Sequence, residues 1–341
     1  MNRNSTRRYD RTVVLGVERV EAPEVVTSAQ LDERLGEVYR RTRMRPGLLE
    51  GLVGIRERRW WGEDQDFTDG AVEAGRAALA ASGIEPGQVD LLVNTSLSRH
   101  WLEPSTAVVI HDALGLSPGC QNFDVTNACL GFMNGMEIAA AMIEAGLIDV
   151  ALVVDSEDSR PVQESTIRRL SEAGVSSRDL MSEFAALTLG SGAVAMVLAR
   201  ADQHPEGHRL VAGVSRAATE HHELCVGDND VMRTDLKGLL AAGLDLSTGL
   251  WDGAASEFGW DDDITRFFVH QVSQVHTDSI CERLKIDPDL VPRSFPAFGN
   301  IGPASVAYTL AGDQHSLTRG DRVLLMGIGS GLNASCLEVR W

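Results

Sequence analysis

The 341-residue sequence predicts an α/β protein, and two features of its pattern support this fold class. Short apolar runs rich in β-branched residues alternate with longer segments of helical periodicity, as expected where helices connect parallel strands. Several of these runs recur in the second part of the chain, which indicates two similar halves. The predicted strands are Thr12 to Val17, Asp90 to Val93, Val150 to Val154, Ala193 to Leu198, Phe267 to Val269 and Arg322 to Met326.

The internal duplication rests on two pairs of matching segments. The GSG turn at 190–192 leads into AVAMVLAR, and the GSG turn at 329–331 leads into LNASCLEVR. LLVNTS and the helical segment after it likewise resemble FFVHQVS and its helix. We therefore predict βαβ-rich halves at residues 1–203 and 204–341, with a seam in the polar segment Ala201 to Gly207.

The separation between corresponding positions of the two halves is smaller after residues 155–189 than before them. The first half therefore carries an insertion of roughly 35 residues at about 155–189. Its sequence is polar and partly helical. We interpret it as a cap over the functional site. A solvated surface excursion without a role is the alternative.

The charge balance excludes several classes of function. Lys and Arg number 31 against 49 Asp and Glu, and the net charge of −18 repels nucleic acids and anionic membrane surfaces. No apolar run reaches the ~18 residues that span a bilayer, and no hydrophobic stretch typical of a signal peptide follows the basic start of the chain. We expect a cytoplasmic protein without a membrane span.

The five cysteines are odd in number, scattered and free of any Cys-x-x-Cys pair. This pattern fits neither a disulfide framework nor a zinc site, so no metal is expected. Cys129 differs from the others because it follows the strand-like FDV and opens the apolar segment LGFMNGMEIAAAMIEAG. A thiol at the N-terminus of a buried helix favours the thiolate, so Cys129 is a candidate nucleophile; the alternative is a small core hydrophobe.

Two further polar residues follow apolar segments of the second half. His270 ends the strand RFFV, at the carboxyl edge where open α/β sheets place their ligands, and it can accept a proton or donate a hydrogen bond. Asn300 lies in the constrained turn FGNIGPAS and offers an amide donor on rigid backbone. A structural histidine and a plain loop are the respective alternatives.

Cys129, His270 and Asn300, in this order, resemble the Cys-His-Asn constellation of the ketoacyl-ACP synthase III branch of the thiolase superfamily. GIRERRWW (Gly54 to Trp61) and the C-terminal glycine turn also resemble this branch, and the likeness covers essentially the whole chain. Within it, NTSLSRHWLEPSTA, FDVTNACLGFMNGM and GNIGPASV resemble OleA-type acyl-CoA condensing enzymes of olefin biosynthesis. The resemblance implies a five-layer αβαβα sandwich, the thiolase fold.

The chemistry implied by the resemblance depends on Glu103. Condensing two fatty acyl-CoAs without decarboxylation requires a base for the α-proton, and the family's glutamate reaches into the partner subunit of a homodimer. A glutamate that complements a helix dipole is the alternative. A decarboxylating ketoacyl-ACP synthase III, which extends acyl-CoA with malonyl-ACP, has no use for Glu103 and is the competing function.

The expected mechanism passes through an acyl thioester on Cys129, with the N–H groups of Cys129 and Ser330 as oxyanion donors. The product is a 2-alkyl-3-oxoalkanoic acid. No cofactor is expected besides the coenzyme A thioesters that serve as substrates. The resemblance also implies downstream enzymes that process the β-keto acid.

Overall fold

The computed structural model describes residues 4–341, and all six predicted strands are present in it. The strands are β1 (Ser5–Arg8), β2 (Thr12–Glu21), β3 (Glu24–Thr27), β4 (Glu57–Trp60), β5 (Leu91–Asn94), β6 (Gln121–Asp124), β7 (Val150–Glu157), β8 (Gly192–Arg200), β9 (His208–Ala217), β10 (Cys225–Gly227), β11 (Met232–Thr234), β12 (Arg266–Val269), β13 (Arg322–Gly329) and β14 (Asn333–Arg340).

The helices alternate with these strands as the sequence pattern predicts. They are α1 (Ser28–Arg34), α2 (Gly36–Thr42), α3 (Leu48–Gly51), α4 (Phe67–Ser82), α5 (Thr106–Leu114), α6 (Gly131–Glu144), α7 (Arg160–Ser171), α8 (Ser177–Glu183), α9 (Leu236–Asp252), α10 (Ala255–Phe258), α11 (Gln274–Leu284), α12 (Phe295–Phe298) and α13 (Ser305–Asp313).

The two halves of the main sheet have the same strand arrangement, in opposite order along the sheet. Its path runs β12-β13-β14-β9-β2-β8-β7-β5-β6, with β1 beside β9. In each half one parallel pair, β5 with β7 or β12 with β13, is followed by two antiparallel neighbours. The two halves of the sheet are connected by the pairing of β2 with β9, which involves only Val13 and Val14 of β2. The predicted duplication is therefore visible in the strand order, while the domain limits at 203 and 204 stay a prediction.

Two central helices, α6 and α13, lie between the half-sheets. Phe132 and Met136 of α6 are fully buried in a cluster that contains Val153 of one half-sheet and Leu325 of the other. Burying each such side chain contributes about 1.5–3 kcal/mol. Helices α4 and α5 cover the outer face of the first half, and α9 and α11 cover that of the second. The layers follow the order αβαβα, which confirms the predicted thiolase-type sandwich.

The insertion begins later than the sequence pattern suggested, because β7 continues through Glu157 with every residue buried. Helices α7 and α8 then pack on α1 and α2 through a separate apolar cluster that includes Leu31, Leu35, Ile167 and Phe184. This burial contradicts a purely solvated excursion. Among residues 4–341, no helix combines the length and apolar character needed to cross a bilayer.

Candidate active site

Cys129 lies in a tight turn between β6 and α6. The backbone of Ala128 has a φ of 46°, in the left-handed region that non-glycine residues seldom adopt. The carbonyl oxygen of Asn127 accepts the N–H of Leu130 at 3.0 Å, which closes the turn. Cys129 is half-buried and precedes the first helical residue of α6, Gly131, by two positions.

The thiol of Cys129 is neutral in the resting protein. Its pKa is raised to about 12, mainly by burial and in part by the nearby Cys225, Glu157 and Asp155, whereas its own backbone N–H acts in the lowering direction. The structure therefore disfavours the expected thiolate at rest, because burial removes the hydration that a charged sulfur needs. Reaction at Cys129 requires a neighbouring proton acceptor.

His270 follows β12 and is 4% exposed. Its backbone N–H donates to the carbonyl oxygen of Met326 at 2.9 Å, which holds it beside β13. Burial lowers the pKa of His270 to about 3, and His276 contributes in the same direction. The imidazole is consequently neutral and able to accept a proton.

The side chain of Asn300 is fixed by hydrogen bonds to its carboxamide oxygen. Oδ1 accepts the N–H of Gly302 at 3.0 Å and the hydroxyl of Ser305 at 3.3 Å. The backbone N–H of Asn300 donates to the carbonyl oxygen of Thr188 at 2.9 Å. With Oδ1 engaged, the Nδ2 amide group is left as the donor for a ligand.

Two glycines allow the end of the insertion and the residue directly after it to approach the Asn300 loop. A methyl group at Gly190 would overlap the carbonyl oxygen of Phe298, and one at Gly299 would lie 2.8 Å from the carbonyl oxygen of Thr188. Gly299 also has a φ of 68°. Close backbone contact at both positions therefore requires glycine.

These segments meet at the N-terminal end of α6. A Cβ on Gly131 would lie 3.5 Å from Cβ of Pro303, so the Asn300 loop touches the first turn of the helix. A Cβ on Gly329 would lie 2.8 Å from the carbonyl oxygen of Asn127, so the end of β13 touches the nucleophile turn. Since His270 lies beside β13, the segments that carry the cysteine, the histidine and the asparagine all adjoin the N-terminal end of α6.

Ser330 follows Gly329 in the turn between β13 and β14, adjacent to the nucleophile turn. Within residues 4–341 its backbone N–H donates to no acceptor. A free donor at this position is what an oxyanion requires.

Comparison with known proteins agrees with this arrangement. Residues 123–216 match the family model 3-oxoacyl-[acyl-carrier-protein] synthase III, and residues 259–341 match the model of its C-terminal region. The acyl-CoA:acyl-CoA alkyltransferase of Xanthomonas campestris is 43% identical over 98% of this chain and 99% of its own length. The enzyme of the same name from Shewanella oneidensis is 34% identical over 98% and 100%. This chain belongs to the acyl-CoA:acyl-CoA alkyltransferase family.

Solved structures of the Xanthomonas campestris family member OleA superpose closely on this chain. A cysteine-to-serine form with bound lauric acid and lauroyl-CoA has a TM-score of 0.95 and 42% identity, and covers 98% of this chain and 100% of that one. The cerulenin-bound protein has a TM-score of 0.96 and 43% identity, covering 98% of each. This alkyltransferase family member is thus a condensing enzyme of the thiolase superfamily.

Within a single chain the side chain of Glu103 is exposed, whereas His270 and Asn300 are buried. Glu103 lies on an exposed loop before α5. The N-terminus of α5 is capped instead by Asp124, whose carboxylate accepts the N–H groups of Thr106 at 2.9 Å and Ala107 at 2.8 Å. Asp124, and not Glu103, therefore caps this helix, while a dipole role of Glu103 stays an alternative.

Sequence reasoning missed a pair of buried carboxyl groups at the end of β7. Oε1 of Glu157 accepts the N–H of Leu97 at 2.6 Å, and Oε2 accepts the hydroxyl of Ser98 at 2.6 Å. Oδ2 of Asp155 accepts the hydroxyl of Thr95 at 2.5 Å. Burial raises the pKa of Glu157 to about 7 and also raises that of Asp155. The sequence signal for this pair was the alternating Asp-Ser-Glu that follows VALVV. Such a pattern is typical of a strand that ends at the edge of the sheet where ligands bind.

Proposed function

We propose that this protein joins two fatty acyl-CoAs head to head in a non-decarboxylative Claisen condensation and releases a 2-alkyl-3-oxoalkanoic acid. The observation that carries the proposal is 43% identity over 98% of the chain to an acyl-CoA:acyl-CoA alkyltransferase. The approach of the segments that carry Cys129, His270 and Asn300 to the start of α6 supports it.

In the first half-reaction the proton of the Cys129 thiol passes to neutral His270, and the sulfur attacks the thioester carbon of the first acyl-CoA. The N–H groups of Cys129 and Ser330 stabilise the oxyanion. The intermediate collapses to acyl-cysteine and expels coenzyme A as a thiolate. His270 keeps its proton.

In the second half-reaction the carbonyl oxygen of another acyl-CoA accepts hydrogen bonds from protonated His270 and from Nδ2 of Asn300. Glu103 of a partner subunit removes the α-proton, because no carboxylate leaves to generate the carbanion. The enolate attacks the acyl-cysteine, and the departing Cys129 sulfur recovers its proton from His270. Glu103 releases the α-proton to solvent, where it balances the coenzyme A thiolate expelled in the first half-reaction. Hydrolysis of the remaining thioester gives the β-keto acid.

The assembly required by this scheme is a homodimer. Leu102 is 91% exposed and Trp101 is 59% exposed beside Glu103, so an apolar loop tip accompanies the base. Burial of such side chains against a second subunit favours association. We further propose that no cofactor is needed besides the coenzyme A substrates, that the enzyme acts in the cytoplasm, and that enzymes of olefin biosynthesis consume its β-keto acid.

The test supplies long-chain acyl-CoA without any malonyl partner and follows products by mass spectrometry. We expect β-keto acid, or the ketone formed by its decarboxylation, from the wild type and none from Cys129→Ala. Glu103→Gln should form acyl-cysteine, detected as a mass increase of the intact protein, but little condensed product.

Two results would contradict the proposed function. Product formation only after malonyl-ACP is added would assign the chain to decarboxylating elongation. Coenzyme A release by Cys129→Ala at the wild-type rate would exclude the covalent route.

A further inference from the structure

A second histidine, His276, shares a small cavity with His270. The cavity is bordered by α9, α11 and strands β12 to β14, and Cys336 is the third titratable residue in its wall. Its volume of about 20 Å³ accommodates one water molecule. The reaction scheme above assigns no role to His276.

Both histidines direct an unpaired nitrogen into buried surroundings. Within residues 4–341, Nδ1 of His270 and Nδ1 of His276 are buried and have no hydrogen-bond partner. The backbone N–H of His276 donates to Oγ of Ser273 at 3.1 Å, which fixes its place in the first turn of α11. Unpaired buried nitrogens are unfavourable, so each of these two needs a partner, and a water molecule in this cavity has room to contact both rings.

The groups around the cavity are uncharged at neutral pH. Burial lowers the pKa of His270 to about 3 and that of His276 to about 4. Burial also raises the pKa of the Cys336 thiol to about 12. Each imidazole consequently carries one proton, and the hydrogen bond made by one ring nitrogen determines which nitrogen holds it.

We propose that His276 is a positioning residue that fixes the tautomer of His270 through one water molecule. Nδ1–H of His270 donates to the water, the water donates to Nδ1 of His276, and the proton of His276 is on Nε2. Nε2 of His270 is then free to accept the proton of Cys129, and the same chain stabilises the ring once it is charged. The catalytic consequence rests on the proposed function, whereas the tautomer is a property of the resting protein.

The experiment compares His276→Phe, which cannot accept a hydrogen bond, with His276→Asn, whose carboxamide oxygen can. His315→Phe, an exposed histidine after α13, is the control. Histidine ¹⁵N NMR should show His270 as the Nδ1–H tautomer in the wild type and in His276→Asn, and as a mixture in His276→Phe. His270→Asn assigns the signal.

Acyl-enzyme formation in a single turnover provides the second readout. We expect His276→Phe to be slower by roughly 5- to 10-fold with little change in KM, as for the loss of one neutral hydrogen bond, and His276→Asn to be slower by no more than about twofold.

A wild-type His270 protonated on Nε2 would overturn the proposal, as would an unchanged tautomer and rate in His276→Phe. If His276→Phe does not fold, the wild-type tautomer and His276→Asn still decide. Absence of any acyl-enzyme in the wild type would contradict the proposed function. The NMR experiment tests the positioning role of His276 independently of that result.

Discussion

The reactivity of a single residue, Cys129, depends on a balance between the helix N-terminus and the groups buried around the sulfur. Burial and two nearby carboxyl groups keep its proton in place. His270 is kept neutral by the same loss of hydration. Both groups are therefore uncharged before substrate binds, and the proposed proton transfer between them accompanies attack on the thioester.

Glu157→Gln should make Cys129 more reactive. Above pH 7 the wild-type carboxyl is largely ionised and disfavours the thiolate, and the amide removes this charge while keeping its shape. Iodoacetamide alkylation of Cys129 at pH 8.5, followed by intact mass, should accelerate roughly threefold to tenfold, because one pKa unit is tenfold in thiolate fraction. Glu63→Gln, at a highly exposed position, serves as the control. Equal rates in all three proteins would show that Glu157 does not act on the sulfur.

Asn300→Ala should reduce condensation far more than acylation. The scheme uses Nδ2 of Asn300 to hold the second thioester, and loss of one such donor typically costs about 10²- to 10³-fold in rate. Product formation and the single-turnover acylation of Cys129 are measured separately. A variant that loses both rates equally would place Asn300 in the first half-reaction instead.

At the scale of elements, the insertion has a structural role at the site. Thr188, near its end, accepts the backbone N–H of Asn300 at 2.9 Å, and Gly190, the residue directly after the insertion, donates its N–H to the carbonyl oxygen of Asn300 at 2.9 Å. The insertion thereby links the cluster around α7 and α8 to the proposed amide donor.

Gly190→Ala should separate these two segments. The added methyl group overlaps the carbonyl oxygen of Phe298, so we expect a loss of about 1–3 kcal/mol in the free energy of unfolding and a condensation rate lowered at least tenfold. Gly36→Ala is a matched control, because no atom lies within 4 Å of its added carbon. Urea denaturation and product assays measure the two effects. If Gly190→Ala changed neither the free energy of unfolding nor the condensation rate, the close contact between Gly190 and Phe298 would be contradicted.

At the scale of the whole molecule, the proposed scheme assigns the base and the nucleophile of one site to different subunits. Mixing Cys129→Ala with Glu103→Ala should restore activity, because one site of each mixed dimer then has both groups. At random exchange about half of the dimers are mixed and each has one intact site, so roughly a quarter of wild-type activity is expected. Each variant alone, incubated in the same way, is the control. Failure of the mixture to regain activity, with subunit exchange verified by native mass spectrometry, would place Glu103 outside the partner's site.

The buried acids also affect stability as a function of pH. A folded pKa of about 7 for Glu157, raised from 4.5, means that the folded chain keeps a proton that the unfolded chain loses. This group therefore lowers the free energy of unfolding as pH rises from 4.5 to 7. His270 and His276, whose pKa values are lowered, act in the opposite direction below pH 6.5.

Comparing Glu157→Gln with the wild type isolates the contribution of Glu157. The variant should gain stability relative to the wild type between pH 5 and pH 8, as measured by urea denaturation at both values. A constant difference across this range would mean that Glu157 is ionised throughout.

The sequence by itself determined the strand segments, the duplicated order, the burial of α6 and the positions of Cys129, His270, Asn300 and Ser330 in turns. These features follow from periodicity and turn chemistry, which act between neighbouring residues. The role of Glu103 was inferred only from the family resemblance, because no local sequence pattern indicates that a residue acts in a partner subunit.

Only the tertiary structure decided the protonation of the Cys129 thiol, the extension of β7 to the buried Glu157, and the meeting of His270 with His276. Each depends on burial and on neighbours far away in the chain. Desolvation of an ionisable group is set by everything packed around it, and a local sequence pattern does not contain that information.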